Sequence, residues 1–187
     1  MLSSLRIGRA AVCVTLLIIT ALLMSERAGF AQGLVLERAE DQRWGFGVDL
    51  GLLNETIDKQ VFALGGNVDY YVTGNFSAGP MVQIAPGSDL TQVNGWAVAK
   101  LHFRTRYFDI APFTGPGLTW ARVGAGRLSS KSDDDASLSM VLGLELQFGV
   151  IGRFAFAVSG MYAAYNLDFG QAGEDKGLTA LMFGARF

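Results

Sequence analysis

The sequence predicts an all-β protein that folds into a closed, antiparallel, up-and-down barrel of eight transmembrane strands. Two observations lead to this prediction. Large apolar residues alternate with glycine or polar residues in one segment after another, which is the pattern of strands with one apolar face and one small or polar face. In addition, no segment after residue 43 reaches 18 consecutive apolar residues, so helical membrane spans are excluded.

The first element of the chain is predicted to be an export signal. Arg6 and Arg9 precede an uncharged apolar stretch, residues 10–24, and the small residues of segment 28–31 follow it. This order is typical of a secretory signal peptide that is cleaved after Ala31. The apolar stretch is shorter than the roughly 20 residues that a spanning helix needs, so an N-terminal membrane anchor is the weaker alternative.

Removal of this signal changes the composition of the exported chain. The single cysteine, Cys13, lies in the signal, so the exported chain has no disulfide, thiolate metal site or cysteine nucleophile. The 15 basic and 17 acidic residues become 12 and 16, because Arg6, Arg9, Arg27 and Glu26 are lost, and the net charge becomes −4. A nucleic-acid partner would require a basic face, and none is predicted.

The barrel domain is predicted to cover residues 43–187, after a short periplasmic lead at residues 32–42. Along the first strand, every second residue from Trp44 onward is large and apolar. Eight such runs lie near residues 44–52, 62–72, 76–84, 94–104, 110–123, 138–148, 154–162 and 181–187. Each has about ten residues, the length of a tilted transmembrane strand. In the fourth and fifth runs, the alternation leaves open where the strands end and which residues face outward.

The links between these runs alternate in length. Short links lie near residues 74–75, 105–106 and 149–152, and longer polar links lie at residues 54–59, 86–92, 124–136 and 166–177. Short periplasmic turns and longer external loops are typical of outer-membrane barrels, so both ends of the barrel domain are predicted on the periplasmic side. Pro80, Pro112 and Pro116 fall inside predicted strands, where each removes a ladder donor, and we expect them near rims or bulges.

Three features of these runs are shared with a known family. Leu181, Phe183 and Phe187 alternate along the last strand, residues 111–120 read APFTGPGLTW, and the first strand begins with aromatic–glycine repeats. In these features the chain resembles the small eight-stranded outer-membrane barrels of the opacity-protein and OmpA-barrel type. The resemblance implies a bacterial outer-membrane location and a C-terminal signal, formed by those three residues, that the barrel-assembly machinery reads. We also expect no peptidoglycan-binding domain after the barrel.

The polar faces of the strands are expected to fill the barrel interior. If the large apolar residues face lipid, the charged or ionisable residues that point inward are Asp49, Asp69, Lys100, His102, Arg104 and Glu145. An unpaired buried charge is costly, so these residues are predicted to pair into a structural polar network. Barrels of eight strands are just wide enough to be filled by side chains. A narrow proton or ion path is the alternative.

His102 is the only histidine and therefore the only ordinary general base near neutral pH. Some outer-membrane barrels of this size act on lipid A with a serine that a histidine activates. Ser139 and Ser159 are the candidate partners here, but neither is expected within hydrogen-bond reach of His102. The sequence therefore predicts no catalytic residues and no enzyme, and it contains no cofactor or metal motif.

The predicted function is that of a non-enzymatic integral outer-membrane protein, which supports envelope integrity or makes surface contacts through its external loops. Its expected partners are outer-membrane lipid, lipopolysaccharide and the assembly machinery. The acidic residues 133–135 are expected at a solvated loop tip. The alternatives are a lipid A acyl hydrolase, a narrow ion or solute channel, and a soluble lipocalin-like periplasmic barrel, in which every strand would face the other way.

Overall fold

The barrel region of the chain consists almost entirely of β-strands. The computed structural model describes residues 43–56, 59–87, 90–105, 107–124, 133–151, 154–170 and 174–187, so the predicted signal and lead lie outside the described residues. The strands are β1 (Trp44–Thr56), β2 (Lys59–Thr73), β3 (Phe76–Ala85), β4 (Leu90–Leu101), β5 (Phe103–Arg104), β6 (Phe108–Val123), β7 (Asp133–Ile151), β8 (Phe154–Asp168) and β9 (Glu174–Arg186). In this part of the chain no helix is long and apolar enough to cross a membrane.

The strands close into a ring. Sequential strands pair antiparallel, and β1 also pairs with β9, with Leu50 opposite Phe183. Both β4 and β5 pair with β6, because they are consecutive segments of one barrel strand that is interrupted at His102. The ring therefore has eight strands and no free edge, which confirms the predicted fold class. We call the end where β1 begins and β9 ends the proximal end, and the opposite end the distal end.

The faces of the strands follow the predicted alternation. In β1 the large residues Trp44, Phe46, Val48, Leu50 and Leu52 are exposed on the outer wall. Strand β6, whose facing the sequence left open, turns its odd-numbered residues inward: Phe113 is buried and Leu118 is exposed. In β4, Trp96 and Lys100 are buried while Leu101 is exposed. The result is an apolar outer wall around a largely polar interior.

The distal links are shorter than the sequence predicted. Residues 57–58, 86–89, 124–132 and 169–173 link the strands at the distal end, and residues 74–75, 105–107 and 152–153 link them at the proximal end. The acidic residues 133–135 lie in β7, where Asp134 is opposite Arg122 of β6, so their predicted loop position is wrong. Backbone pairing does not require an apolar outer face, and the alternation therefore marks only the apolar part of each strand.

The three strand prolines do not lie at rims or bulges, as the sequence analysis expected. Each lies opposite a gap in the ladder: pairing between β2 and β3 stops at Pro80, and pairing of β6 with β4 and β5 stops at Pro112 and Pro116. In every case the ladder resumes in the same register. The missing N–H therefore removes local pairing without an inserted residue. The gap at Pro112 coincides with the interruption at His102.

The gap in pairing at Pro116 includes the preceding residue, Gly115, which has no room for a side chain. A Cβ at Gly115 would collide with the carbonyl oxygen of Ala97 and lie 2.9 Å from Cα of Val98. Gly115→Ala is therefore expected to lower the free energy of unfolding by about 1–3 kcal/mol, the usual cost of overpacking. Urea unfolding of the refolded barrel in detergent measures this loss.

Gly95→Ala is the matched control, because a Cβ at Gly95 of the neighbouring strand meets no atom within 4 Å. Equal urea midpoints for the two variants would contradict the close approach at Gly115.

Candidate functional site in the barrel interior

The distal part of the interior is an apolar plug. Its members come from five strands or from the residue after one, and each is at most 1% exposed: Leu53, Leu90, Val123, Leu167, Phe169 and Leu178. They meet because the inward positions of the distal strand ends converge in a narrow lumen. This layer resembles the core of a soluble protein, although the buried carboxylate of Asp175 lies opposite Leu167 at the same level.

Below the plug, amide side chains and one tyrosine form a hydrogen-bonded layer. The Gln92 side chain donates from Nε2 to Asn94 Oδ1 (3.0 Å) and to the Tyr165 hydroxyl (3.3 Å), and Asn94 Nδ2 donates to Gln83 Oε1 (3.0 Å). The Tyr165 hydroxyl donates in turn to Asp175 Oδ2 (3.4 Å). All these side chains are buried, so the layer pairs donors with acceptors that water does not reach, with Gln92 Oε1 as the exception.

The middle of the interior is an ion-pair cluster centred on Glu145. Arg186 donates to both carboxylate oxygens of Glu145, from Nε to Oε1 at 3.1 Å and from Nη2 to Oε2 at 2.6 Å. Lys100 Nζ lies 3.3 Å from Oε2, and Gln147 Nε2 donates to Oε1 at 2.6 Å. This bidentate geometry is the strong form of the arginine–carboxylate pair.

Two aspartates complete the cluster, one on each cation. Asp69 Oδ2 is 3.0 Å from Lys100 Nζ and also accepts from Asn67 Nδ2 at 2.8 Å. Asp49 Oδ1 is 2.8 Å from Arg186 Nη1. The ion-pair cluster therefore comprises three carboxylates and two cations: Asp49, Asp69, Glu145, Lys100 and Arg186. Because every cation contacts two carboxylates, no positive charge in it is buried without a partner.

Inward glycines make room for these long side chains. A Cβ at Gly47 would lie 2.8 Å from Arg186 Nη1, and one at Gly184 would lie 2.9 Å from Asp49 Cγ. Beside the cluster, a small cavity lined by Gln83, Ser159 and other residues has room for about one water molecule. The described part of the interior is thus filled by its own side chains.

A second polar group lies at the proximal end. The two ring nitrogens of His102 have different partners: Nδ1 is 2.8 Å from Asp109 Oδ2, and Nε2 is 2.9 Å from Ser77 Oγ. Arg104 Nε lies 3.6 Å from the same Asp109 oxygen. The ring of Tyr71 lies 5.2 Å from the imidazole, and the Arg104 guanidinium lies 5.6 Å above the Tyr71 ring. We call Ser77, His102 and Asp109 the serine–histidine–aspartate chain.

The structure divides the six inward residues that the sequence singled out into two groups. Asp49, Asp69, Lys100 and Glu145 meet in the ion-pair cluster, whereas His102 and Arg104 belong to the proximal group. Whether the whole set serves structure alone stays a prediction.

Three important residues were missed by the sequence analysis. Arg186 and Ser77 lie on inward faces whose alternation was visible, but neither was considered as a partner for the inward charges. Asp109 precedes the strand start expected at residue 110. The two serines that were considered have other surroundings: Ser139 accepts from Trp96 Nε1 at 3.1 Å, and Ser159 lies opposite Glu145.

The outer wall carries aromatic rings at its proximal edge. The rings of Trp44 and Tyr70 lie 5.0 Å apart, and Phe154 lies 5.1 Å from Phe156 and 6.1 Å from Phe187. Phe187 exchanges two backbone hydrogen bonds of 2.9 Å with Phe46. Leu181 and Phe183 are exposed on the same wall. Within the described ranges, no group of histidine, cysteine or acidic residues is arranged to hold a metal ion.

The ion-pair cluster predicts a large loss of stability when its arginine is removed. Arg186→Met leaves Asp49 without its cation and Glu145 with Lys100 alone, so the free energy of unfolding is expected to fall by about 3–5 kcal/mol. Arg122→Met, which removes an exposed arginine opposite Asp134, is the control and is expected to change it by no more than about 1 kcal/mol, the range of exposed charged contacts. Urea titration in detergent measures both.

The double variant Glu145→Gln/Arg186→Met is expected to lose less than the sum of the two single losses, because both partners of the pair are gone. Strict additivity of the two losses would contradict an energetic coupling between these residues.

No family model and no curated protein sequence matches the chain. Solved structures match its fold. Neisserial surface protein A has 13% sequence identity and a TM-score of 0.59, over 78% of this chain and 96% of that chain. The N-terminal β-barrel domain of Pseudomonas aeruginosa OprF has 16% identity and a TM-score of 0.51, over 76% and 97%. Ail, the attachment invasion locus protein of Yersinia pestis, has 19% identity and a TM-score of 0.51, over 77% and 96%. At these identities the likeness is one of fold, and the chain has the closed eight-stranded β-barrel fold of small outer-membrane proteins.

Proposed function

We propose that this chain is an integral outer-membrane protein that acts as a closed scaffold, with a role in envelope integrity or in surface contacts through its distal links. One observation carries the proposal: the barrel has an apolar outer wall and an interior filled by its own side chains. The wall suits lipid, because contiguous exposed apolar surface of this extent is unfavourable in water. This role requires no catalysis.

The facing of the strands argues against the soluble lipocalin-like alternative. Such a barrel would hold its large apolar residues inside, whereas Phe46, Leu142 and Phe183 are exposed and Lys100 and Glu145 are buried. The proximal aromatic rings support a membrane orientation, since aromatic side chains favour the interface between hydrocarbon and water. We place the proximal end in the periplasm, because three of the four distal links are longer than any proximal link.

The interior argues against the channel alternative. The apolar plug and the ion-pair cluster lie one above the other along the barrel axis, so an ion would have to cross an apolar layer and displace paired charges. The lipid A alternative has less support, because His102 is buried in the proximal interior and does not face lipid at the distal rim. Lipopolysaccharide remains a proposed neighbour of the distal wall.

Assembly is proposed to depend on the last strand. Leu181 and Phe183 of β9, and Phe187 directly after it, present apolar side chains on the outer wall, and we assign recognition by the barrel-assembly machinery to these three residues.

The proposed orientation is tested with single cysteines, because the only cysteine of the chain, Cys13, lies in the predicted signal. Ser129→Cys introduces a thiol between β6 and β7, and Gly74→Cys introduces one in the proximal turn, where a Cβ meets no atom within 4 Å. A membrane-impermeant maleimide is expected to label position 129 in intact cells, and position 74 only after the outer membrane is permeabilised. Recovery of the protein in the soluble periplasm, or the reverse labelling pattern, would contradict the proposal.

The filled interior predicts that the purified barrel does not conduct. In planar lipid bilayers at neutral pH, we expect currents no larger than those of protein-free membranes, because the plug excludes water and ions. The control is a large porin that is reconstituted in the same way. Discrete current steps that depend on the protein and scale with voltage would favour the channel.

A further inference from the structure

The hydrogen bonds of the serine–histidine–aspartate chain fix which imidazole nitrogen carries the proton. An ionised carboxylate only accepts hydrogen bonds, so Nδ1 of His102 donates to Asp109 Oδ2 across 2.8 Å. In the neutral ring Nε2 then accepts, and Ser77 Oγ donates to it across 2.9 Å. This is the order of nucleophile, general base and orienting acid that serine hydrolases of unrelated folds use.

The fold explains how these three residues meet. Ser77 and Asp109 lie on β3 and β6, the two neighbours of the strand that contains His102. The His102 backbone N–H donates to Asn75 O on the β3 side (2.9 Å), while pairing on the β6 side is interrupted opposite Pro112. Diagonal neighbours on adjacent strands are within reach of long side chains. The imidazole therefore contacts a side chain on each neighbouring strand.

Two further side chains contact this chain at the proximal end of the barrel. Ser77 is fully buried and His102 is 2% exposed. Tyr71 and Arg104 lie next to His102 and Asp109, and the Arg104 side chain is 26% exposed. Both side chains are partly exposed, and a rotamer change of the two would open a way to Ser77 without movement of the barrel backbone.

We propose that Ser77 is a nucleophilic serine that is acylated by small carboxylic esters entering from the proximal end, where Tyr71 and Arg104 cover it. Ser77 Oγ bonds to the ester carbonyl carbon while its proton moves to Nε2 of His102. The bond to the alkoxide then breaks, and His102 passes the proton to this leaving group, which departs as an alcohol. Water attacks the acyl group by the same proton path, releasing a carboxylic acid and free Ser77.

This reactivity goes beyond the scaffold role and does not rest on it. The residues involved lie inside the barrel, apart from the apolar outer wall and the distal links on which the scaffold role depends. A negative result of the cysteine labelling or of the bilayer experiment would therefore not contradict the acylation of Ser77. Equally, the absence of Ser77 acylation would not contradict the scaffold role.

The experiment uses the folded, full-length exported protein in detergent, with a fluorophosphonate probe and 4-nitrophenyl acetate as the ester. We expect the probe to attach to Ser77, identified by peptide mass spectrometry. Ser77→Ala should abolish this label and reduce protein-dependent ester hydrolysis to the level of buffer. His102→Gln should slow labelling at least about 100-fold, since general base catalysis contributes a factor of this order. Tyr71→Ala should speed labelling about tenfold or more, because it removes a covering ring and leaves the general base in place.

Ser159→Ala is the matched control, because Ser159 is also inward and buried. In this variant Ser77 should be labelled at the wild-type rate. A shift in gel mobility on heating verifies that each variant is folded. The wild type supplies a second comparison without any variant: Ser77 should label faster than Ser159 in the folded protein and no faster in urea. The proposal is overturned if neither the wild type nor Tyr71→Ala labels at Ser77, or if Ser77→Ala hydrolyses the ester at the wild-type rate.

Discussion

The pairing of charges around Glu145 is the interaction on which the interior depends. Side chains fill the described part of the lumen and leave a cavity of about one water molecule, so each charge inside must find its partner among the side chains of other strands. Glu145 meets this requirement by accepting hydrogen bonds from both Lys100 and Arg186. Asp69 is the second partner of Lys100, and Asp49 is the second partner of Arg186. One network thereby ties five strands across the barrel, and their relative positions follow from it.

The two faces of each strand are under different constraints, because the outer face is exposed and apolar and the inner face lines a filled lumen. On the outer wall, size and apolarity matter and the shape is loosely constrained, so leucine, valine and phenylalanine alternate freely. Inside, the available space decides: Gly47 and Gly184 stand where a side chain would displace the long residues of the ion-pair cluster. The same division sets the interior layers, with an apolar plug distally and reactive polar groups proximally. Contacts with other molecules are therefore directed to the wall and to the two ends.

Much of this architecture could be predicted from the period of two, because burial on one face leaves a direct trace in the sequence. The strand count, the closure and the facing of β1 follow from it. The distal strand ends could not be predicted, since beyond the apolar wall a paired strand and a polar loop have the same composition. Nor could the partners of His102, because Ser77 and Asp109 meet it only through the register of three strands. Alternation shows that a residue faces inward, but the register determines which residue it touches.

The position of Arg186 near the end of β9 has a consequence for how the barrel forms. Until that strand docks against β1, the three carboxylates of the nascent interior have a single cation, Lys100, among them. Docking of β9 delivers the second cation at the same moment that it removes the last open sheet edges. Closure of the backbone ring and pairing of the lumen charges are thus one cooperative event, so a seven-stranded intermediate is disfavoured both by its exposed edges and by the carboxylates that lack a cation.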